Sequence, residues 1–130
     1  MTSAVHRINL EEYDAARYLG GWVDIKGRRS WADQQRIDGA AMTLTGSVTA
    51  MVAHPDLLAR GLTALETSVI AWSLTDDSGE ALPANRTGFM SDSFDAGLGD
   101  WLVVRIDAHY AAGRRPEAER KNSAAPSIPL

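Results

Sequence analysis

The chain contains no cysteine, which excludes disulfide bonds, thiolate metal ligands and a cysteine nucleophile. A chain without disulfides fits a reducing compartment, and the cytoplasm is the default expectation. Long hydrophobic runs are also missing, since nowhere do about eighteen apolar residues follow one another. The opening segment has no long apolar core after its basic residues. We therefore expect neither a membrane protein nor a secreted one.

Basic residues are too few to suggest nucleic acid as a partner. Lysine and arginine number 13 against 17 acidic residues, which gives a formal net charge of −4. Binding to a phosphate backbone needs a concentrated basic surface. The three histidines are not spaced four residues apart as in a helical zinc site, so we expect no metal. The glycines at 20–21 and 97–99 lack the lysine or the strand context of a phosphate loop, and we expect no cofactor.

Catalytic arrangements are equally scarce. The sequence has no Gly-x-Ser-x-Gly motif. His54 stands in a His-Pro-Asp run that is typical of a helix entrance. His109 follows Asp107 by two residues, so on a helix the two side chains point to different sides. We name no catalytic residue and expect a protein that is not an enzyme.

The 130 residues and 45% hydrophobic content predict one globular domain at residues 1–113. Residues 114–130 are rich in charge, small residues and proline, which predicts a flexible polar tail. The expected fold class is mainly α, with α+β as the alternative. One or two short strands are expected near the N-terminal half.

The main element is predicted to be a helix from Pro55 to Trp72. Its apolar residues are spaced by four, three, four and three, which places them on one helical face. They are Leu58, Leu62, Leu65, Val69 and Trp72. Pro55 and Asp56 suit the first turn. The segment Asp76–Glu80 after the helix is predicted to be a solvated turn.

The other helices are predicted from their capping residues, and a strand is predicted from alternating apolar and polar residues. A helix is predicted from Asn9 to about Leu19, a strand at Trp22–Gly27, a helix from the Ser30 cap to about Met42, and a helix from Asp95 to Ala112 ended by Gly113. Two core faces are possible for the strand: one formed by Trp22 and Ile25, the other by Val23. The apolar stripe of the last helix is Leu98, Leu102, Ile106 and Tyr110.

Residues 42–52 fit two structures equally well. Met42, Leu44, Gly46 and Val48 alternate with threonine and serine, as in a strand. Leu44, Val48 and Val52 are also spaced by four, as in a continuing helix.

Four tryptophans are a large aromatic content for a small domain. Each can bury roughly 200 Å² in a core, but a small helical domain need not cover all four. An uncovered tryptophan is a usual docking point for a partner. Trp22, Trp31, Trp72 and Trp101 are therefore the candidate partner-binding residues.

The segment from Ile70 to Pro83, then Phe94, then Gly97–Leu102 leading into Ile106 and Tyr110 resembles the tail-assembly chaperones of long-tailed phages, especially those of actinobacterial hosts. Their helix commonly ends in a W-s-l-t-D-x-x-G-x-x-l-P segment. The resemblance covers about Leu57 to Tyr110, and a weaker similarity lies before it, at Trp22–Arg36.

The resemblance implies a chaperone that binds the tape-measure protein in the host cytoplasm and keeps it soluble while the tail is built. The family has no catalytic motif, so no site residue is carried over. A homo-oligomer is left open. One alternative is a minor structural component of the virion, such as a head–tail connector or a tail-associated protein that contacts other phage structural proteins. The other is a small enzyme with a non-standard site around His54 or His109.

Overall fold

The computed structural model describes residues 5–47 and 49–124, with the helical backbone alone given for 114–124. Five helices lie in this part of the chain: α1 (Glu11–Asp14), α2 (Trp31–Ala40), α3 (Leu57–Ser68), α4 (Arg86–Phe89) and α5 (Ala96–Ala124). The strands are β1 (Val5–Asn9), β2 (Trp22–Lys26), β3 (Met42–Ser47), β4 (Ala50–Pro55) and β5 (Val69–Trp72). The fold is therefore α+β, and the expectation of a mainly α fold is wrong.

A three-stranded antiparallel sheet in the order β1-β2-β5 forms one side of the core. Val23 and Ile25 of the central strand are fully buried and form its core face together. The alternative that placed Trp22 with Ile25 on this face is wrong, because residues three apart on a regular strand point to opposite sides. The buried stripe of α5 belongs to the same core cluster. The predicted stripe is confirmed, because Leu98, Leu102, Ile106 and Tyr110 are all buried.

The predicted helix from Pro55 to Trp72 is two elements. The helix α3 ends at Ser68, and Val69–Trp72 pair with β2 as a strand. The register shifts between Asp24 and Ile25, so that Ile25 pairs with Val69 while Asp24 pairs with Ala71. Ile70 is the extra residue of this bulge, and an extra residue changes which side chains face inward. Val69 and Trp72 consequently both face the core although they are three residues apart.

The N-terminal helix is shorter than predicted. Only Glu11–Asp14 are α-helical, and turns follow as far as Gly20. The Asn9 side chain accepts a hydrogen bond from the backbone N–H of Glu11 at 3.0 Å, and Glu11 accepts one from Gly20 N–H at 2.7 Å. Val5–Asn9 form an edge strand that pairs with β2, so Asn9 ends a strand and the helix begins two residues later, at Glu11.

Met42–Ser47 pair with Ala50–Pro55 as a β-hairpin, so the strand alternative is correct for these residues and Pro55 ends a strand, while Val48 lies outside the described residues. Gly46 has φ +109°, and a Cβ there would overlap the carbonyl oxygen of Ala50. Glycine is required at this position, since other residues rarely adopt such a φ.

The predicted Ser30 cap is confirmed, and α5 has a side-chain cap that was not predicted. The Ser30 hydroxyl accepts from the Asp33 N–H at 3.0 Å at the start of α2, and Asp95 accepts from the Leu98 N–H at 2.9 Å at the start of α5. The predicted stop at Gly113 is wrong, since α5 runs on to Ala124. Glycine permits a left-handed helix end but adopts helical angles as readily. The division between a domain at 1–113 and a flexible tail at 114–130 stays a prediction, and residues 125–130 lie outside the described part.

In the described part of the chain, no helix combines the length and the apolar character needed to cross a membrane.

Candidate partner-docking site

Trp72 is a core residue. It is buried on β5, and its indole N–H donates to the carbonyl oxygen of Leu82 at 2.7 Å. Its ring stacks on Phe94 at 5.4 Å between centroids and meets Phe89 edge-on at 5.2 Å. Because Trp72 is buried and its ring is covered by these contacts, its side chain is not available to a partner.

Trp22 and Trp101 are half-buried and already in contact with neighbours. The guanidinium of Arg7 lies 4.1 Å from the Trp22 ring centroid, and the same arginine forms an ion pair with Asp24 at 2.7 Å. The Trp101 ring lies 5.5 Å from that of Tyr13 and packs against the core. Both are weaker candidates than an uncovered tryptophan.

Trp31 is the exposed member of the four. It is the first residue of α2, directly after the Ser30 cap, and 78% of its surface is accessible. The cap fixes where the helix begins and so fixes the Cα of Trp31. The structure does not bring the four predicted residues together, and it leaves Trp31 available for contact.

Trp31 borders a cleft of about 530 Å³ between the β2–α2 loop and α5. We call it the Trp31 cleft. It is lined by Gly27, Arg28, Arg29, Ser30, Trp31, Gln34, His109, Tyr110 and Gly113. The volume is within the range of sites that hold small ligands or a few side chains of a partner.

Arg29 fixes the loop side of the cleft to α5. Its side chain is only 8% exposed, and it donates to Asp107 at 3.0 Å. Its guanidinium also lies 4.6 Å from the ring centroid of Tyr110. Arg60 of α3 donates to the other oxygen of Asp107 at 3.0 Å, so one carboxylate joins three elements. The loop that precedes Trp31 is therefore held in place before any partner binds.

The α5 side of the cleft is also well held. The Tyr110 hydroxyl donates to the carbonyl oxygen of Lys26 at 2.7 Å, and burial raises the pKa of this phenol. His109 contacts the carbonyl oxygen of Gly27 at 3.3 Å and stacks on His6 of β1, with ring centroids 4.0 Å apart. Burial, together with His109 and Arg105, lowers the pKa of His6.

The cleft therefore combines an exposed indole with the exposed Arg28 at its loop, while Arg29 is already paired with Asp107 and supports the loop. Tryptophan and arginine are the residues most enriched at the energetic centres of protein interfaces. An apolar side chain with a carboxylate nearby would fit this chemistry. Sequence reasoning missed Arg29, although the Arg28–Arg29 pair just before a helix cap was visible.

The segment that carries the family resemblance is a closed loop packed on Trp72. Asp76 accepts hydrogen bonds from the Ser78 N–H, the Ser78 hydroxyl and the Glu80 N–H at 2.7 to 3.0 Å, which lowers the pKa of its carboxyl. The Leu82 N–H donates to the Leu74 carbonyl at 3.0 Å, and Thr75 pairs with Ala81. The prediction of an exposed turn at Asp76–Glu80 is confirmed for Asp77–Glu80, while Asp76 is half-buried.

The two histidines considered for catalysis lie apart in the fold. His54 is on β4, where its Nε2 contacts the Thr45 hydroxyl at 2.9 Å. His109 lies in the Trp31 cleft. Within the ranges that the structure describes, no group of three or more histidine or acidic side chains is arranged to hold a metal ion.

Comparisons of the chain with protein-family models, curated proteins and solved structures give no match.

Proposed function

We propose that the protein is a non-enzymatic tail-assembly chaperone of a long-tailed phage, which binds the tape-measure protein in the host cytoplasm and keeps it soluble. The sequence support is the resemblance over Leu57 to Tyr110. The structural support is a protein-binding type of surface, the Trp31 cleft.

The observation that carries the proposal is the exposure of Trp31 beside a preformed cleft. A tryptophan accessible over 78% of its surface and placed beside a preformed cleft is a typical anchor residue for a partner protein. A tape-measure protein is long and, before it is packed in the tail tube, unprotected. Apolar side chains along such a protein are suitable occupants of the cleft.

Co-expression with the neighbouring tape-measure gene tests the function. The soluble fraction of the tape-measure protein should rise several-fold when the chain is present, and a complex should co-purify. If the long protein is no more soluble with the chain than without it, and no complex purifies, the proposed function is wrong.

The substitution Trp31→Ala tests the site. We expect it to remove most of the gain in solubility while changing the free energy of unfolding by less than about 0.5 kcal/mol, because the side chain is exposed. Leu19→Ala is the matched control, since Leu19 is 82% exposed and does not line the Trp31 cleft. A Trp31→Ala chain that works as well as the wild type would disprove the docking site and leave the function standing.

Purified phage particles test the structural alternative. A chaperone is absent from the finished virion. A symmetric ring of copies in the particle would instead identify the chain as a connector or a tail-associated component.

A further inference from the structure

The hairpin formed by β3 and β4 exposes every strand residue to solvent. Met42, Leu44 and Met51 are 53%, 61% and 57% accessible. Within the described residues the two strands form a sheet of their own, separate from the three-stranded sheet. An isolated two-stranded hairpin is marginally stable in water, and a third strand or a packing partner normally supports it.

The register divides the hairpin into two chemically different faces. Directly opposed residues of an antiparallel pair share a face, and successive residues alternate between faces. One face, which we call the hairpin apolar face, consists of Met42 opposite Pro55, Leu44 opposite Ala53, and Gly46 opposite Met51. The other face carries Thr43, Thr45, Ser47, Ala50, Val52 and His54. One side is thus wholly apolar, while the other is mostly polar.

The apolar face carries no charge that would select a charged partner. No Asp, Glu, Lys or Arg occurs between Met42 and Pro55. A contiguous exposed apolar surface on a soluble protein usually marks an interaction site. Because it carries no charged residue, the hairpin apolar face is suited to a partner that covers it.

We call each pair of directly opposed residues on the apolar face a row. Each row contains one larger and one smaller residue. In the first two rows the larger residue, Met42 or Leu44, is on β3. In the third row it is Met51 on β4, opposite Gly46. A two-fold axis parallel to the strands would lay β3 of one copy over β4 of the other in the same row. Leu44 would then meet Ala53 of the second copy, Met42 would meet Pro55, and Met51 would meet Gly46.

We infer that the hairpin apolar face is the contact surface of a homodimer in which two hairpins pack face to face. Large residues cover small ones in every row, which is the interdigitation that two packed sheets need at a spacing of about 10 Å. Isologous two-fold contacts of this kind are the commonest in soluble oligomers.

The area of the surface is consistent with a dimer. The face itself exposes roughly 400 Å² of apolar surface per copy, as large as the largest apolar patch of a typical monomer. Leu57 and Leu58 follow β4 directly and are 78% and 73% accessible. They continue the exposed apolar stretch along the chain at the base of the hairpin. The face alone is about half of the ~800 Å² that each partner buries in a standard complex, so we expect a weak, concentration-dependent dimer.

Sedimentation equilibrium of the purified full chain tests the inference. The wild type should fit a monomer–dimer equilibrium, and Leu44→Asp should weaken the dimer at least about tenfold, because it places a charge at the centre of the contact. Thr45→Asp is the matched control, since it introduces the same charge at the next residue on the opposite face. It should change the dimer dissociation constant less than about threefold.

An exchange of volumes tests the proposed rows. Leu44→Ala should weaken the dimer, and Leu44→Ala combined with Ala53→Leu should restore it, because the pair between copies is only reversed. Circular dichroism confirms that each variant is folded. A wild-type chain that stays monomeric at all concentrations, or a dimer that Leu44→Asp and Thr45→Asp affect equally, would overturn the inference. Since the readout is the mass of the chain alone, its failure leaves the tape-measure proposal and the Trp31 cleft untouched.

Discussion

Gly88 occupies a position where no side chain fits. It is buried in α4, and a Cβ built there would overlap the carbonyl oxygen of Pro83 and lie 3.2 Å from Cζ2 of Trp72. A backbone carbonyl cannot rotate away as a flexible side chain could. The close approach of two backbone segments therefore depends on glycine at this one residue.

We expect Gly88→Ala to lower the free energy of unfolding by about 2–3 kcal/mol, as overpacking in a core does. Gly39→Ala is the control, because Gly39 lies inside α2 with nothing within 4 Å of its added Cβ. Alanine favours a helix over glycine, so this control should stabilise the protein by about 0.5–1 kcal/mol. Urea denaturation measures both values. Equal effects of the two substitutions would mean that the Pro83 carbonyl moves freely.

At the scale of elements, some local signals were reliable, but the helix start at Asn9 and the helix stop at Gly113 were not, and long-range strand pairing was not visible in the sequence. The Ser30 cap and the four-residue stripe of α5 depend on neighbours in sequence, and both were predictable. The strand β5 depends on pairing with β2, far away in the chain. Its bulge at Ile70 puts residues three apart on one face, which imitates the spacing of a helix. The spacing therefore predicted a helix for Val69–Trp72, which form a strand in the structure.

The loop from Ser73 to Leu82 is held by a hydrogen bond from the Trp72 side chain to its last residue. Trp72→Phe removes the indole N–H and leaves the buried Leu82 carbonyl without its donor at 2.7 Å. We expect a loss of about 1–3 kcal/mol in the free energy of unfolding. Hydrogen exchange at the Leu82 amide, which bonds to the Leu74 carbonyl, should also accelerate. Trp31→Phe is the control and should change neither value, because its ring is exposed.

At the scale of the whole molecule, the candidate site was only half predictable. Trp31 was one of four equivalent tryptophans in the sequence, and its exposure is a property of the folded chain. The cleft depends on the contact of Arg29 with Asp107, which are 78 residues apart. No local pattern marks two residues at that separation as partners.

The stacked pair of His6 and His109 joins β1 to α5 and should make the stability of the whole fold depend on pH. The pKa of His6 is lowered by burial, by His109 and by Arg105, against the opposing effect of Glu12. The unfolded chain therefore binds a proton at His6 as the pH falls through about 6.5, whereas the folded chain binds it only at a lower pH. Stability is then present above that pH and is lost as the pH falls below it.

We expect the Tm to fall between pH 7.5 and pH 5.5, and His6→Phe to flatten this dependence while keeping an aromatic ring against His109. Carboxyl groups with a lowered pKa, such as those of Asp24 and Asp95, stay ionised over this range in both states and do not contribute. His54→Phe is the control, because His54 is on the exposed hairpin, and it should keep the slope of the wild type. Calorimetry at three pH values measures the effect. An unchanged slope in the His6→Phe chain would show that the stacked pair does not set the acid sensitivity of the fold.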